Sequence, residues 1–300
     1  MTAAILPTSP QPLKLWASIS RLHIVAIAAL GTFTFGWLFT GTHLWLLSSV
    51  CALDWFLVNL LNRVVDLPED RANHIAGTDF VARHRRGILV GGLLALFGSL
   101  ALVHLVAPQV TLWRVGYHAL GLAYNWPLLP GGRRIKQLYF WKNTASATGF
   151  MITVFGYPLV VGAGERPPGI TAATVGCAAL FFFLFEISYE VIYDLRDAPG
   201  DRAADVRTYP VVHGERGAVR IIDTLIGAAV TTLVVGYALG ILPWRIFVMV
   251  LAPAIQLAAY KRALRRGITS RDCILLTWTG AGLLLAYHLW IAAGLPGVGW

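Results

Sequence analysis

Glu186, Glu190, Asp194, Asp197 and Asp201 recur every three or four positions at the end of an apolar run. That spacing puts them on one face of a helix and its first continuation beyond the run. A second set lies upstream, where Asp54, Asn62, Asp66 and Asp70 are separated by multiples of four. Carboxylates stacked on one face repel each other and cost more when partly desolvated. Something positive must offset them, and two clusters of hard oxygens suit Mg²⁺ carrying a phosphorylated substrate. The first cluster reads NRVVDLPED over residues 62–70 and the second YDLRDAPGD over 193–201, each followed by an arginine, Arg71 and Arg202. Either motif alone reads equally well as a solvated helix end. The two together, on one expected side, favour a site. Asp54, Glu186 and Glu190 lie inside apolar runs, where an ionisable residue is functional by default; the alternative is neutralisation by a buried arginine such as Arg114.

The elements that must position these residues are membrane helices. The chain is 57% hydrophobic and 13% charged, with mean hydropathy +0.65, which few soluble proteins match. Nine apolar segments are long enough, or nearly so, to span: about 22–40, 43–61, 88–107, 110–128, 138–163, 169–193, 219–240, 244–261 and 273–294. Arg114, His118 and Asn125 make the fourth the weakest. Lipid demands that backbone polar groups be satisfied within each segment, so the expected fold is all-α, one membrane domain over 1–300 around a central cavity. All Lys and Arg but Arg114, Arg166 and Arg245 fall in the N-terminal stretch that holds Lys14 and Arg21 (segment 1–20 and its margin) or in alternate connections and their margins. That asymmetry predicts a cytoplasmic N-terminus and an outward C-terminus; the expected location is a bacterial inner membrane. It also explains the formal charge of +9 without nucleic acid. Two long inner connections, about 62–87 and 194–218, each begin at an acidic cluster and read as a cytoplasmic cap. Pro7, Pro10 and Pro12, with no early basic residue, make a poor signal peptide. Cys51, Cys177 and Cys273 form no CxxC and read as packing residues. His74, His84 and His213 lack zinc-like spacing, and Arg83-His84-Arg85-Arg86 reads as a headgroup anchor.

Paired aspartate motifs after the second and sixth segments resemble those of the UbiA superfamily of intramembrane prenyltransferases. The stretch Asp197–Arg202, continuing to Arg207-Thr208-Tyr209-Pro210-Val211-Val212, is similar to that family's D-x-E-G-D-R…R-T-L-P-V run, and Tyr124-Asn125-Trp126-Pro127 and Lys142-Asn143 resemble stretches around its fourth and fifth helices. The resemblance implies nine transmembrane helices and a Mg²⁺ site for an isoprenoid diphosphate. On that reading Asn62, Asp66, Asp70, Asp197 and Asp201 are the metal ligands, with Asp194 assisting. Arg63 stands where the family has its first aspartate, and Tyr193 where some members have asparagine. Arg133, Arg134 and Lys136 substitute for the usual basic motif after the fourth helix, beside Arg71, Arg202 and Arg207 as diphosphate-binding candidates.

The chemistry stands without the family. A diphosphate leaves once Mg²⁺ and Arg or Lys neutralise it, and the allylic cation left behind needs a dry, aromatic cavity. Trp55, Phe56, Trp126, Tyr139, Trp141, Phe185, Tyr189 and Tyr193 are the rings near the clusters, though most serve equally well in packing or interface belts. The expected activity is transfer of an isoprenoid to a lipophilic, aromatic acceptor oriented by Glu190 or Asp54, with the membrane lipids as surroundings. The rivals are a terpene cyclase of the same superfamily and a transporter with acidic intramembrane sites. A CDP-alcohol phosphotransferase would need a DxxDGxxAR-type run, which follows neither Asp66 nor Asp197.

Overall fold

The computed structural model describes residues 12–73, 75–162 and 166–294, so the prolines Pro7 and Pro10 of the N-terminal segment and His74 lie outside it. The described residues form helices joined by turns. In order these are α1 (Pro12–Ile19), α2 (Leu22–Thr40), α3 (Trp45–Val65), α4 (Leu67–Ala72), α5 (Thr78–Arg83), α6 (Arg85–Val106) and α7 (Thr111–Asn125). There follow α8 (Tyr139–Phe150), α9 (Tyr157–Val161), α10 (Ala172–Ala203), α11 (Tyr209–Ala238), α12 (Trp244–Phe247), α13 (Leu251–Leu264) and α14 (Ser270–Ala292). A π-helical segment, Met151–Gly156, joins α8 to α9, so Tyr139–Val161 crosses as one element. Its widened turn carries Thr153, whose hydroxyl accepts from Trp55 Nε1 at 3.0 Å and so ties α3 to this helix.

Eight helices among the described residues are long and apolar enough to cross a membrane. α7 is the one expected segment outside that set. Its 15 residues rise only about 22 Å, less than the ~30 Å hydrocarbon core, and its Arg114, His118 and Asn125 are buried. The main core lies where α2, α3, the π-helical segment and α10 meet, around Phe35, Leu38, Phe39, Trp55 and Phe155. α2 packs between α3 and α14, and α10 runs along α11.

Two departures from the expected elements shape the site. The second cap loop, expected over 194–218, is mostly helix: α10 continues to Ala203 through Pro199, and α11 begins at Tyr209. Helix survives there because a cation offsets the stacked carboxylates, as shown below. The first cap, 62–87, holds α4 and α5. α3 ends at Val65, with Asp66 as its cap, because Pro68 has no N–H for the next helical bond, and the chain restarts as α4. At the entry to α5, Gly77 adopts φ +89, and a Cβ there would sit 2.6 Å from Ile19 Cγ1, so this turn against α1 requires glycine.

Candidate active site

α3 and α4 supply one wall of a cavity of about 640 Å³, and the end of α10 supplies the wall across from it. Asn62, Asp66 and Asp70 line the first wall; Glu190, Asp194, Asp197 and Asp201 line the second. The walls meet at one end, where Gly200 lies so close to the Asn73 side chain that an added methyl would collide with it. The two motifs, 131 positions apart between Asp66 and Asp197, therefore face one space.

Each wall carries its own cations. Lys136 Nζ donates to Asp66 Oδ1 at 2.7 Å and also to Glu69. Arg134 lies 2.9 Å from Glu69 Oε1 and 3.7 Å from Asp66 Oδ1. Arg63, fully buried, sets its Nε 2.8 Å from Asp70 Oδ2, and donates to the carbonyls of Ser18 and Ala76 at 3.3 and 3.2 Å. The Arg63–Asp70 approach is an ion pair without hydrogen-bond alignment, leaving both atoms without a hydrogen-bond partner. On the second wall Lys142 Nζ bridges Asp194 Oδ1 at 2.8 Å and Asp201 Oδ2 at 3.1 Å. That bridge joins residues two turns apart and offsets the repulsion along α10. Asn143 Nδ2 donates to the other Asp194 oxygen at 2.9 Å, Arg196 binds Asp197 through Nε at 2.7 Å, and Ser146 Oγ donates to Glu190 at 2.6 Å.

The cap-side carboxyls of the first wall titrate unequally. Burial pushes Asp66 up, and Lys136 only partly reverses this; burial likewise raises Asp70 despite Arg21 and Arg63. Burial also acts on Glu69, but Lys136 and then Arg134 outweigh it and hold that carboxyl below its ordinary value.

Of the expected diphosphate-binding residues, Lys136 lines the cavity and Arg134 reaches its carboxylates. Arg71, Arg133, Arg202 and Arg207 are exposed and stand outside the lining. Arg71 and Arg202 directly follow Asp70 and Asp201, and one residue turns a helix about 100°, off the carboxylate face. Asp54 is also corrected as an acceptor residue. It is wholly buried away from the cavity, accepting from Arg114 at 2.5 and 2.9 Å, His118 at 3.0 Å and Tyr157 at 2.8 Å. The arginine neutralisation weighed for it in the sequence holds. Among the eight rings, Trp55, Tyr189 and Tyr193 line the cavity. Sequence reasoning assigned no role to Arg63, Glu69 or Lys142. Arg63 shares the i+3, i+7 face with Asp66 and Asp70, a signal that was there to be used.

No group of three or more His, Cys, Asp or Glu among the described residues closes on a single metal position. The donor set nonetheless fits Mg²⁺, which takes one or two carboxylates with substrate phosphates instead of an all-protein cage. Asn62 Oδ1 is a buried acceptor without a hydrogen-bond partner, a free hard oxygen beside Asp66.

The fold is an all-helical membrane bundle whose two acidic motifs face one cavity, and comparison names the family. The UbiA prenyltransferase family profile matches residues 15–279, and the chain belongs to that family. A digeranylgeranylglyceryl phosphate synthase from Pyrococcus abyssi is 27% identical over 164 residues, 54% of this chain and 54% of its own length. The alignment thus spans about half of that relative. A UbiA homolog from Archaeoglobus fulgidus bound to DMAPP and Mg²⁺ has the same fold, with TM-score 0.71 at 17% identity, covering 91% of this chain and 97% of that one. A digeranylgeranylglyceryl phosphate synthase structure superposes with TM-score 0.60 at 16% identity, covering 92% and 95%.

Proposed function

We propose that this chain transfers an isoprenoid group from its diphosphate to a lipophilic acceptor, with Mg²⁺ held between the two acidic walls. The carrying observation is that Asn62, Asp66 and Asp70 share one cavity with Asp194, Asp197 and Asp201 and with two lysines. Asn62, Asp66, Asp70, Asp197 and Asp201 would hold the metal, with Asp194 beside them. Bound Mg²⁺ supplies neutralisation of the leaving diphosphate.

The chain's own groups do the rest. Lys136 and Lys142 each already bind two carboxylates, so each can exchange one for a phosphate oxygen and follow charge onto the leaving group. Asn143 keeps Asp194 oriented while Lys142 shifts. Trp55, Tyr117, Phe150 and Tyr189 line the same space; they exclude water from the allylic centre and offer ring faces to a cation. The basic asymmetry supports clusters that face the cytoplasm.

The sequence points to an aromatic acceptor, whereas the relatives' name points to a glyceryl phosphate lipid, so both belong in the assay. Purified protein is given Mg²⁺ and allylic diphosphates of several lengths, with and without each acceptor. Acceptor-dependent diphosphate release with a prenylated product supports the reading. A cyclic hydrocarbon formed without acceptor moves the chain to the cyclases. Flux through liposomes without chemistry makes it a transporter.

A further inference from the structure

A second cavity, of about 300 Å³, continues from the first, away from the acidic motifs. Phe181 and Phe185 of α10, with Leu284 and Trp290 of α14, are typical of its apolar lining. Ile27, Phe150, Glu186 and Tyr189 line both cavities and mark the boundary. Among the described residues, Glu186 is the only acidic or basic side chain in the second lining. It is 8% exposed, and no hydrogen bond or ion pair is found for it among the described residues. Every other motif carboxyl has a partner, Glu190 taking the Ser146 hydroxyl. A carboxyl left unpartnered in apolar surroundings at membrane depth is costly, and such residues mark substrate positions.

The chemistry of the lining restricts the ligand. An anionic group is excluded, because the second cavity offers no cation and Glu186 would repel it. A neutral hydroxyl at the end of an apolar chain fits, since it needs one acceptor and the cavity provides one. Away from the boundary the lining's polar groups are Trp290, whose indole N–H only donates, and Tyr287, whose hydroxyl already donates to Arg245 O at 2.6 Å. Eight residues separate Glu186 from Asp194, about 12 Å along the helix, which leaves room for a diphosphate and its allylic carbon between them.

We propose that Glu186 is the hydroxyl-binding group of the acceptor subsite, with the acceptor's apolar chain in the second cavity. The ligand class is an alcohol or a phenol on an isoprenoid or comparably apolar chain. This rests on the transferase reading, and it assigns the acceptor to Glu186, not to Asp54 or Glu190.

Binding tests it without turnover. Farnesol and nonylphenol, each beside its methyl ether, are titrated into the purified full chain in detergent. Wild type should bind at least one hydroxyl compound about tenfold tighter than its ether, the worth of one buried hydrogen bond. Glu186→Gln should keep that preference, because the amide still accepts. Glu186→Leu should abolish it and leave ether binding unchanged. Preference for farnesol alone assigns an alcohol, and for nonylphenol alone a phenol. Equal binding of hydroxyl and ether by wild type overturns the proposal, as does a preference that survives in Glu186→Leu. A preference lost in Glu186→Gln as well assigns the group a role through its charge and also overturns it. Absence of any prenyl transfer would sink the transferase reading and leave this result standing; transfer with a wild-type acceptor KM in Glu186→Leu would sink this proposal alone.

Discussion

The Asp54 network and the cavity clusters are two buried sets of charge in one bundle, and they differ in what is left unmet. Asp54 accepts four hydrogen bonds from Arg114, His118 and Tyr157, and Arg114 also donates to the Ser99 carbonyl at 2.8 Å and hydroxyl at 3.0 Å. It joins α3, α6, α7 and α9 and lines neither cavity; the ring nitrogen it leaves without a hydrogen-bond partner, His118 Nδ1, is buried outside both linings. In the cavity, Lys136 and Lys142 are each shared between two carboxylates, Asn62 Oδ1 has no hydrogen-bond partner, and Glu186 has none found. Depth of burial does not separate the two sets, since Asp54 is 0% and Asp194 2% exposed. Unmet bonding capacity facing open space does.

The sharpest way to break that comparison is to cut one member from each set. Arg114→Met should cost about 3–5 kcal/mol of stability, because Asp54 is left charged and dry, with little change in turnover per folded molecule. Asp66→Asn and Asp197→Asn should do the reverse. They keep helix shape and folding in detergent but lower Mg²⁺-dependent turnover by about a hundredfold to a thousandfold. Thermal unfolding and diphosphate release on the same preparations decide it. Near-normal turnover in both aspartate variants would put the metal elsewhere.

How far the sequence reached follows from the same contrast. Membrane helices and their order were legible because hydrophobic length is a one-dimensional property, and the paired motifs because i, i+4 spacing survives in the letters. The partner of each carboxylate was not, since Lys136 lies 70 positions from Asp66 and Lys142 52 from Asp194. Asp54 therefore looked as reactive as Glu186. Loop and helix were confused over 194–203 for a related reason: stacked acids and Pro199 argue against helix locally, and the stabilising Lys142 comes from α8. Arg71 and Arg202 were overvalued because adjacency in sequence was read as adjacency in space.

Shared lysines make a smaller, separate expectation. Lys142→Met should raise the diphosphate KM about tenfold, one lost charge-assisted contact, and leave the acceptor KM unchanged. A change in kcat alone would mean that Lys142 only braces α10.

The smallest effect tests the first wall through pH. Asp66 has its pKa raised by burial in the folded protein, so the fold keeps a proton that the unfolded chain gives up near pH ~3.9. Its contribution to stability therefore declines as pH rises from that value to the raised one, and stays lost above it. Glu69, held low by Lys136 and Arg134 against burial, has the opposite sign. Its contribution is present above pH ~4.3 and is lost as pH falls through the depressed value. In ligand-free protein, Asp66→Asn should remove the decline on the rising side, and Glu69→Gln the decline on the acid side. Each is read as the sign of the change in Tm with pH, downward as pH rises for Asp66 and downward as pH falls for Glu69. Unfolding scans from about pH 3 to about pH 8 measure both. If the Asp66→Asn profile parallels the wild type, Asp66 is as firmly neutralised as Asp54, and the distinction between a fixed network and an open site fails at its central residue.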